Sequence, residues 1–345
     1  MKLKMTKVIA LIMCMALLAG CGGGGGGGGT ATTGDKEPSY NFRVSSHYPD
    51  GHSALDALDR AKERIFKESD GRITLQIFPN SQLGDYTLAY EELMKGSLDM
   101  AFISMPSIFD QRFEMNYIPY MFVNYDEMAK CYSKGHYFFE TYSKLHADLG
   151  VKFLGFYAEG FMVLGLRSLP AKYGDPLAKK SEVIRTPQMN VFLYAIEDMG
   201  FPTVAIPYAD LYTALQTGVC DGWIGGTAIL NYTGFRDVIK YVIPVNTTTE
   251  TNGFLMSESV FSKLSDKDKK IIEDAFMDES IRSCKDADSL NAQAFKDLEA
   301  YGVEVVELSD SEMRAYADHV RKNTWPKLEE LIGKDLMTGL LASVK

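Results

Sequence analysis

The chain is poor in the residues that usually announce chemistry. It has five cysteines in 345 residues, two tryptophans and five histidines. Cys14 and Cys21 sit in or beside an apolar leader. Cys131, Cys220 and Cys284 remain, an odd number without CxxC spacing, which argues against a disulfide framework or a zinc site. The histidines (His47, His52, His136, His146 and His319) are scattered and show no metal-ligand spacing. HExxH, GxSxG and Walker patterns are missing, and no GxGxxG follows a strand. No cofactor, no metal and no catalysis are therefore expected. Positive charge is short as well: 36 Lys and Arg against 46 Asp and Glu give a net charge of −10. That balance argues against nucleic acid as a partner. The longest apolar run near the start, Val8–Leu18, is about eleven residues, too short for a stable bilayer span.

What is present begins with an address. Lys2, Lys4 and Lys7 precede the apolar run, and Leu18-Ala19-Gly20-Cys21 follows it. Small residues before a cysteine resemble a bacterial lipobox; the alternative is an ordinary secretory signal with a chance cysteine. The lipobox predicts a leader over 1–20, removed in the mature chain, and a lipid on Cys21. Loss of the three lysines would leave a net charge of −13. Gly22–Gly29 is pure glycine, and polar residues continue to Pro38. Such a segment cannot bury enough surface to fold, and as a coil it reaches about 20–25 Å. A domain tethered near a membrane is expected, outside the cytoplasm.

After Tyr40 the pattern alternates. Strands are predicted at 40–46, 72–78, 98–103, 151–157 and 161–167, and again around "EVIRT", "TVAIP" and "VCDGWI". Helices are predicted at 53–67, with Leu55, Leu58, Ala61 and Ile65 on one face, at 86–95 ended by Gly96, within 126–149, at 191–199, and at 209–217 ended by Gly218. This is α/β alternation with mostly parallel sheets. Asp266–Ala300 has neither Gly nor Pro, and Ser265 with Asp268 resembles a capping box, so one long helix is expected. Ser309 with Glu312 starts another. The remaining chain is too long for one ordinary core. Two lobes are expected, 39–164 with about 251–285, and 165–250 with about 286–345.

One internal echo stands out. "EELMKGSLDMAFIS" (91–104) and "YTALQTGVCDGWIGG" (212–226) both run helix, Gly-x-x-Asp, strand. Ligands in open α/β sheets gather beyond strand carboxyl ends. That would place Ser104–Ser107 and Trp223–Thr227 on opposite walls of a cleft, with His47 at its lip. Arg185 lies in the apolar segment "VIRTP", where a charge needs a partner. Its fork suits a carboxylate, either within the protein or on a ligand. Arg167 carries the same ambiguity.

"GRITLQIFPNSQLGD", "GSLDMAF", "VIRTP", "GFPTVAIPYADLYTALQTGVCDG" and "FRDVIKY" together resemble the DctP-like solute-binding proteins of tripartite ATP-independent periplasmic (TRAP) transporters. The resemblance covers about Tyr40 to Leu331. It implies a two-lobed periplasmic-binding-protein-like α/β fold, a hinge of crossing strands and a long bracing helix. It also implies closure on a small organic acid and delivery to one small and one large membrane subunit. A binding lipoprotein of an ABC importer or a sensor is the alternative. By matching position, Arg185 is expected to hold the ligand carboxylate, Arg167 to assist, and Tyr208 to lay a ring on the ligand. Tyr86, Ser104, Ser107 and Asn246 are expected to line the pocket. One departure is plain: the family often continues Asp-Gly as Gln-Glu-Asn-Pro, whereas this chain reads Asp221-Gly222-Trp223-Ile224-Gly225-Gly226. Gly225 removes an amide contact. Trp223 is either core packing or a pocket wall suited to an aromatic or larger apolar acid.

Overall fold

The computed structural model describes residues 37–344. The leader, Cys21 and the tether up to residue 36 lie outside those residues. From Pro38 onwards the chain builds two sheets. In chain order the strands are β1 (Tyr40–Ser46), β2 (Ile73–Phe78), β3 (Met100–Ile103), β4 (Val151–Phe161), β5 (Val163–Leu166), β6 (Ile184–Thr186), β7 (Thr203–Ala205), β8 (Gly222–Gly226), β9 (Tyr241–Ile243), β10 (Thr249–Ser257) and β11 (Glu304–Val305). The principal helices are α1 (Ser53–Glu68), α2 (Tyr86–Lys95), α3 (Tyr125–Cys131), α4 (Tyr137–Asp148), α5 (Asn190–Asp198), α6 (Tyr208–Thr217), α7 (Asp266–Tyr301), α8 (Asp310–Ile332) and α9 (Lys334–Val344).

The two sheets share one plan. The first runs β2-β1-β3-β10-β4 and the second β7-β6-β8-β5-β9, extended by β11. β1 is parallel to β2 and β3, and β6 is parallel to β7 and β8. β10 and β5 run antiparallel to both of their neighbours. The sheets are therefore mixed, and the expectation of mostly parallel pairing is corrected. The antiparallel strands belong to the crossings: β4 passes through Met162 into β5 of the other sheet, and β9 passes through 244–248 into β10.

The echo seen in the sequence is a repeat in space. Gly96 and Gly218 end α2 and α6 in the left-handed conformation, at φ +73° and +80°, which glycine adopts without Cβ strain. Asp99 and Asp221 then do the same work twice. Asp99 Oδ2 accepts from Arg43 N at 2.9 Å, and Asp221 Oδ2 accepts from Val183 N at 2.9 Å. Their carbonyls accept from Ser257 N at 2.9 Å and Arg167 N at 2.7 Å. Each aspartate thus ties a parallel neighbour and an antiparallel neighbour to the start of its strand.

Local signals set the helix ends. The Asp85 side chain caps α2 at Thr87 N and Leu88 N. Ser309 and Glu312 form a reciprocal capping box on α8. α1 buries Ala54, Ala57, Leu58, Ala61 and Ile65 in a cluster with Phe42, Val44 and Phe102, while Leu55 stays half-buried. Each buried Leu, Ile or Phe contributes about 1.5–3 kcal/mol. The 36 residues of α7 span about 54 Å. α7 packs on α1, α3 and β4 and also on β11, so it braces elements of both sheets.

Candidate functional site

Parallel strands of both sheets aim their carboxyl ends at one cavity. β1 delivers His47, β3 delivers Ser104, β6 delivers Arg185 and β8 delivers Gly225, while the antiparallel β10 brings Glu250 from its amino end. Tyr86 and Tyr208 are the first residues of α2 and α6, each ten residues ahead of its left-handed glycine. They occupy equivalent places in the two halves, and both line the cavity. Tyr117, Pro187, Met189, Phe192 and Leu230 complete the wall.

Arg185 is 2% exposed. Its Nε donates to Ile206 O at 2.8 Å and its Nη1 lies 3.5 Å from Ile224 O. Among the described residues no carboxylate lies within ion-pair distance, so these carbonyls are all that answers the charge. Burial pulls its pKa below the ordinary arginine value, opposed by the nearby Tyr86, Tyr208 and Glu250. An uncompensated buried cation carries a penalty of several kcal/mol. Gly225 keeps the space beside it open. At φ +119° a Cβ there would stand 3.1 Å from Pro187 Cγ and 3.6 Å from Arg185 Nη1.

Glu250 of the first sheet lines the cavity with this cation, and a second buried acid, Glu159, lies behind it. Glu250 is 4% exposed; its Oε1 accepts from Asn252 Nδ2 at 3.1 Å and lies 3.1 Å from Ser104 Oγ, whose one proton is shared with Asn252 Oδ1 at 2.8 Å. Asn252 also donates to Tyr48 OH, which donates to Glu159 Oε2 at 2.9 Å. Thr227 Oγ1 donates to Glu159 Oε1. His52 Nδ1 accepts from Ala54 N, which leaves its proton on Nε2, 3.5 Å from Glu159 Oε1. The two carboxyls are pushed apart. Burial and the Glu159 charge hold Glu250 well above the usual carboxylate range. Burial would raise Glu159 too, but His52 and the hydroxyl donors hold it below its ordinary value. Burial lowers the His47 pKa to about 4, so that ring is neutral near pH 7.

The structure brings together Arg185, Tyr208, Gly225, Ser104, Tyr86 and His47 of the expected site. The other expected residues lie elsewhere. Arg167 follows β5, which runs antiparallel to β8, so it stands beside the start of β8, far from the cavity at its end. There it lines a separate depression with Tyr212 and Asp237. Trp223 is fully buried behind the cavity, tilted against Phe235 with ring centroids 4.6 Å apart, and its Nε1 donates to Asn231 Oδ1 at 3.0 Å. A Cβ on Gly226 would overlap its ring, so that glycine makes room for the tryptophan, not for a ligand. Asn246 is exposed in the crossing between β9 and β10, at φ +47°. Ser107 lines an adjoining pocket, where its Oγ donates to Glu114 at 2.9 Å. Glu250 and Glu159 went unnoticed in the sequence. Each is an acid inside a strand-like run, "YAEGF" and "TTTETNG", the same signal that marked Arg185.

Glu114 joins the halves at the rim. It follows β3, is 1% exposed, and accepts from Asn190 N at 3.0 Å and Val191 N at 2.7 Å. It thereby caps α5 from outside, where the N-cap residue Met189 supplies no side-chain bond. Among the described residues Cys131, Cys220 and Cys284 are free thiols, and no cluster of His, Cys, Asp or Glu could hold a metal ion.

An aromatic-walled cavity between two repeated half-folds, holding a cation that awaits an anion, defines a two-lobed binding protein. Comparison with known proteins sharpens this class. Residues 44–329 match the DctP model, described as bacterial extracellular solute-binding protein, family 7, and the chain belongs to that family. It is 27% identical over 308 residues to the C4-dicarboxylate-binding periplasmic protein DctP of Vibrio cholerae, covering 85% of this chain and 87% of the relative. The sugar acid binding protein DctPAm of Advenella mimigardefordensis, solved with galactonate, superposes with a TM-score of 0.82 at 23% identity, covering 89% of this chain and 98% of that one. A TRAP periplasmic solute-binding protein of Desulfovibrio salexigens, solved with orotic acid, gives 0.80 at 19% identity, covering 89% and 100%. Both structural likenesses concern the fold. The family is one of extracytoplasmic solute-binding proteins.

Proposed function

We propose that this chain is the capture subunit of a TRAP-type transporter. It holds a small organic acid by its carboxylate and passes it to the small and large membrane subunits. The observation that carries the reading is Arg185, buried in the cavity with two carbonyls as the only partners of its side chain among the described residues. A carboxylate arriving there supplies the missing charge and accepts in parallel from the guanidinium fork. Tyr86 and Tyr208 face the ligand from the two halves. The ligand favours the closed form because only there do both halves touch it. The chain performs no turnover in this scheme. A lipid on Cys21 and the glycine tether would keep the subunit near the membrane; a Cys21→Ser protein found free in the medium or periplasm would agree, and one still membrane-bound would not.

The test of function is direct. Protein purified under native conditions is denatured, and the released small molecules are identified by mass spectrometry. A carboxylic acid in near-stoichiometric amount, whose return raises the melting temperature of the emptied protein without being altered, is the expected result. Chemical conversion of that molecule, or a bound cation without a carboxylate, would sink the proposal.

A further inference from the structure

The cavity holds more than an anion site. Arg185 comes from the second sheet and Glu250 from the first. Both side chains are more than nine-tenths buried and both line the same space, yet they form no ion pair with each other. Glu250 Oε1 is engaged by Ser104 and Asn252, whereas its Oε2 has no donor among the described residues. Behind it, the relay through Asn252 and Tyr48 ends on Glu159, whose oxygens take hydroxyl donors. The space between anchor and acid is walled by the rings of His47, Tyr86, Tyr117, Phe192 and Tyr208. Ring faces attract cations. Pro187, Met189 and Leu230 add apolar surface to the wall.

We infer that the ligand is amphoteric: a carboxylate at one end for Arg185, and a protonated amine or amidine at the other for Glu250, with its flanks against the rings. This rests on the reading of Arg185 as the carboxylate anchor. It also assigns Glu250 as the residue that separates amino-acid-like ligands from plain organic acids. The proton balance follows. The groups facing Glu250 are Glu159, Tyr48, His47, Tyr86, Tyr117, Tyr208 and Arg185. Burial and Glu159 favour the protonated form of Glu250 in the empty protein. An arriving cation displaces that proton to solvent, so the complex holds a carboxylate against the ligand's positive head.

Matched probe pairs test this: proline with cyclopentanecarboxylate, pipecolate with cyclohexanecarboxylate, and 4-aminobutyrate with butyrate. Each pair is titrated by calorimetry into emptied wild type, Glu250→Gln and Arg185→Met, in two buffers of different ionisation enthalpy. At least one amphoteric probe should bind the wild type roughly 30-fold or more tighter than its partner acid. It should release about one proton on binding, and Glu250→Gln should bring the two affinities together. The proton release is read on wild type, so the test survives a misfolded variant. Plain acids that bind as well as or better than their amphoteric partners, a preference that persists in Glu250→Gln, or silence from every probe would overturn the inference. If plain acids bind and require Arg185 while no amphoteric probe does, the anchor stands and this inference falls. If binding is indifferent to Arg185, the anchor falls instead.

Discussion

Arg185→Met separates binding from folding. Methionine keeps the length and the apolar stem and removes the charge. Two carbonyls, Ile206 O and Ile224 O, lose a donor. Leaving buried acceptors unpaired costs about 1–3 kcal/mol each. Against this stands the penalty of holding an unpaired ion in the interior, several kcal/mol, which the variant no longer carries. The two terms nearly cancel, so the ligand-free melting temperature should move by less than about 5 °C. Binding should not survive. Removing one partner of a buried charge pair costs about 3–5 kcal/mol, which is roughly 150- to 4,000-fold in affinity at 1.4 kcal/mol per decade. In wild type, ligand at a hundred times its Kd adds about 2.7 kcal/mol of stability, and in the variant that ligand-induced shift should vanish. Scanning calorimetry of the empty proteins and isothermal titration with the released ligand give both numbers. An affinity within tenfold of wild type would refute the anchor. A ligand-free variant that fails to fold would show that the guanidinium is a structural group.

Three other outcomes follow from the same geometry. Trp223→Ala should lower stability by about 3–5 kcal/mol, as loss of a buried tryptophan does, with the order of ligand preference unchanged in a thermal-shift panel; an altered preference at near-native stability would return Trp223 to the pocket wall. Glu114→Ala should uncap α5 and weaken ligand binding about 5- to 30-fold, because the cap of about 1–2 kcal/mol joins the halves; unchanged calorimetric affinity would mean that the cap persists in the open form. His146 is fully buried, with Nδ1 2.8 Å from Tyr90 OH, and burial lowers its pKa to about 3. The unfolded value is 6.5, so its contribution is complete above pH 6.5 and is lost as pH falls towards 3. Between pH 7 and 4.5 it should remove about 3 kcal/mol from the unfolding free energy, and His146→Gln should flatten urea-unfolding data over that range by a similar amount.

The local grammar of this chain was legible in its residues. The two Gly-x-x-Asp units, the glycine stops at 96 and 218, the Ser309–Glu312 capping box and the uninterrupted 266–301 helix all appear where short-range spacing placed them. They could be read because capping bonds and left-handed stops act within a few residues. Arg185 was legible for a related reason: a charge in an apolar strand demands an answer wherever that strand goes. Strand direction was not legible. The same apolar run can lie parallel or antiparallel, and that choice decides which end of it meets the ligand. β6 runs with β8 and delivers Arg185 to the cavity, while β5 runs against β8 and carries Arg167 to the far edge. Trp223 likewise needed its neighbours. Gly226 and Gly165 leave room for its ring behind the wall, from opposite sides of a strand pair that only the fold assembles. The sequence alone thus settled most helices and strands, though not β9, β10, β11 or α9, and marked Arg185 as a charge in need of a partner, because those depend on short-range bonds and desolvation. Only tertiary structure decided that Glu250 and Glu159, 91 residues apart, meet on neighbouring strands and that Glu250 lines the cavity with Arg185, because pairing at that range is set by how whole strands cross between the sheets.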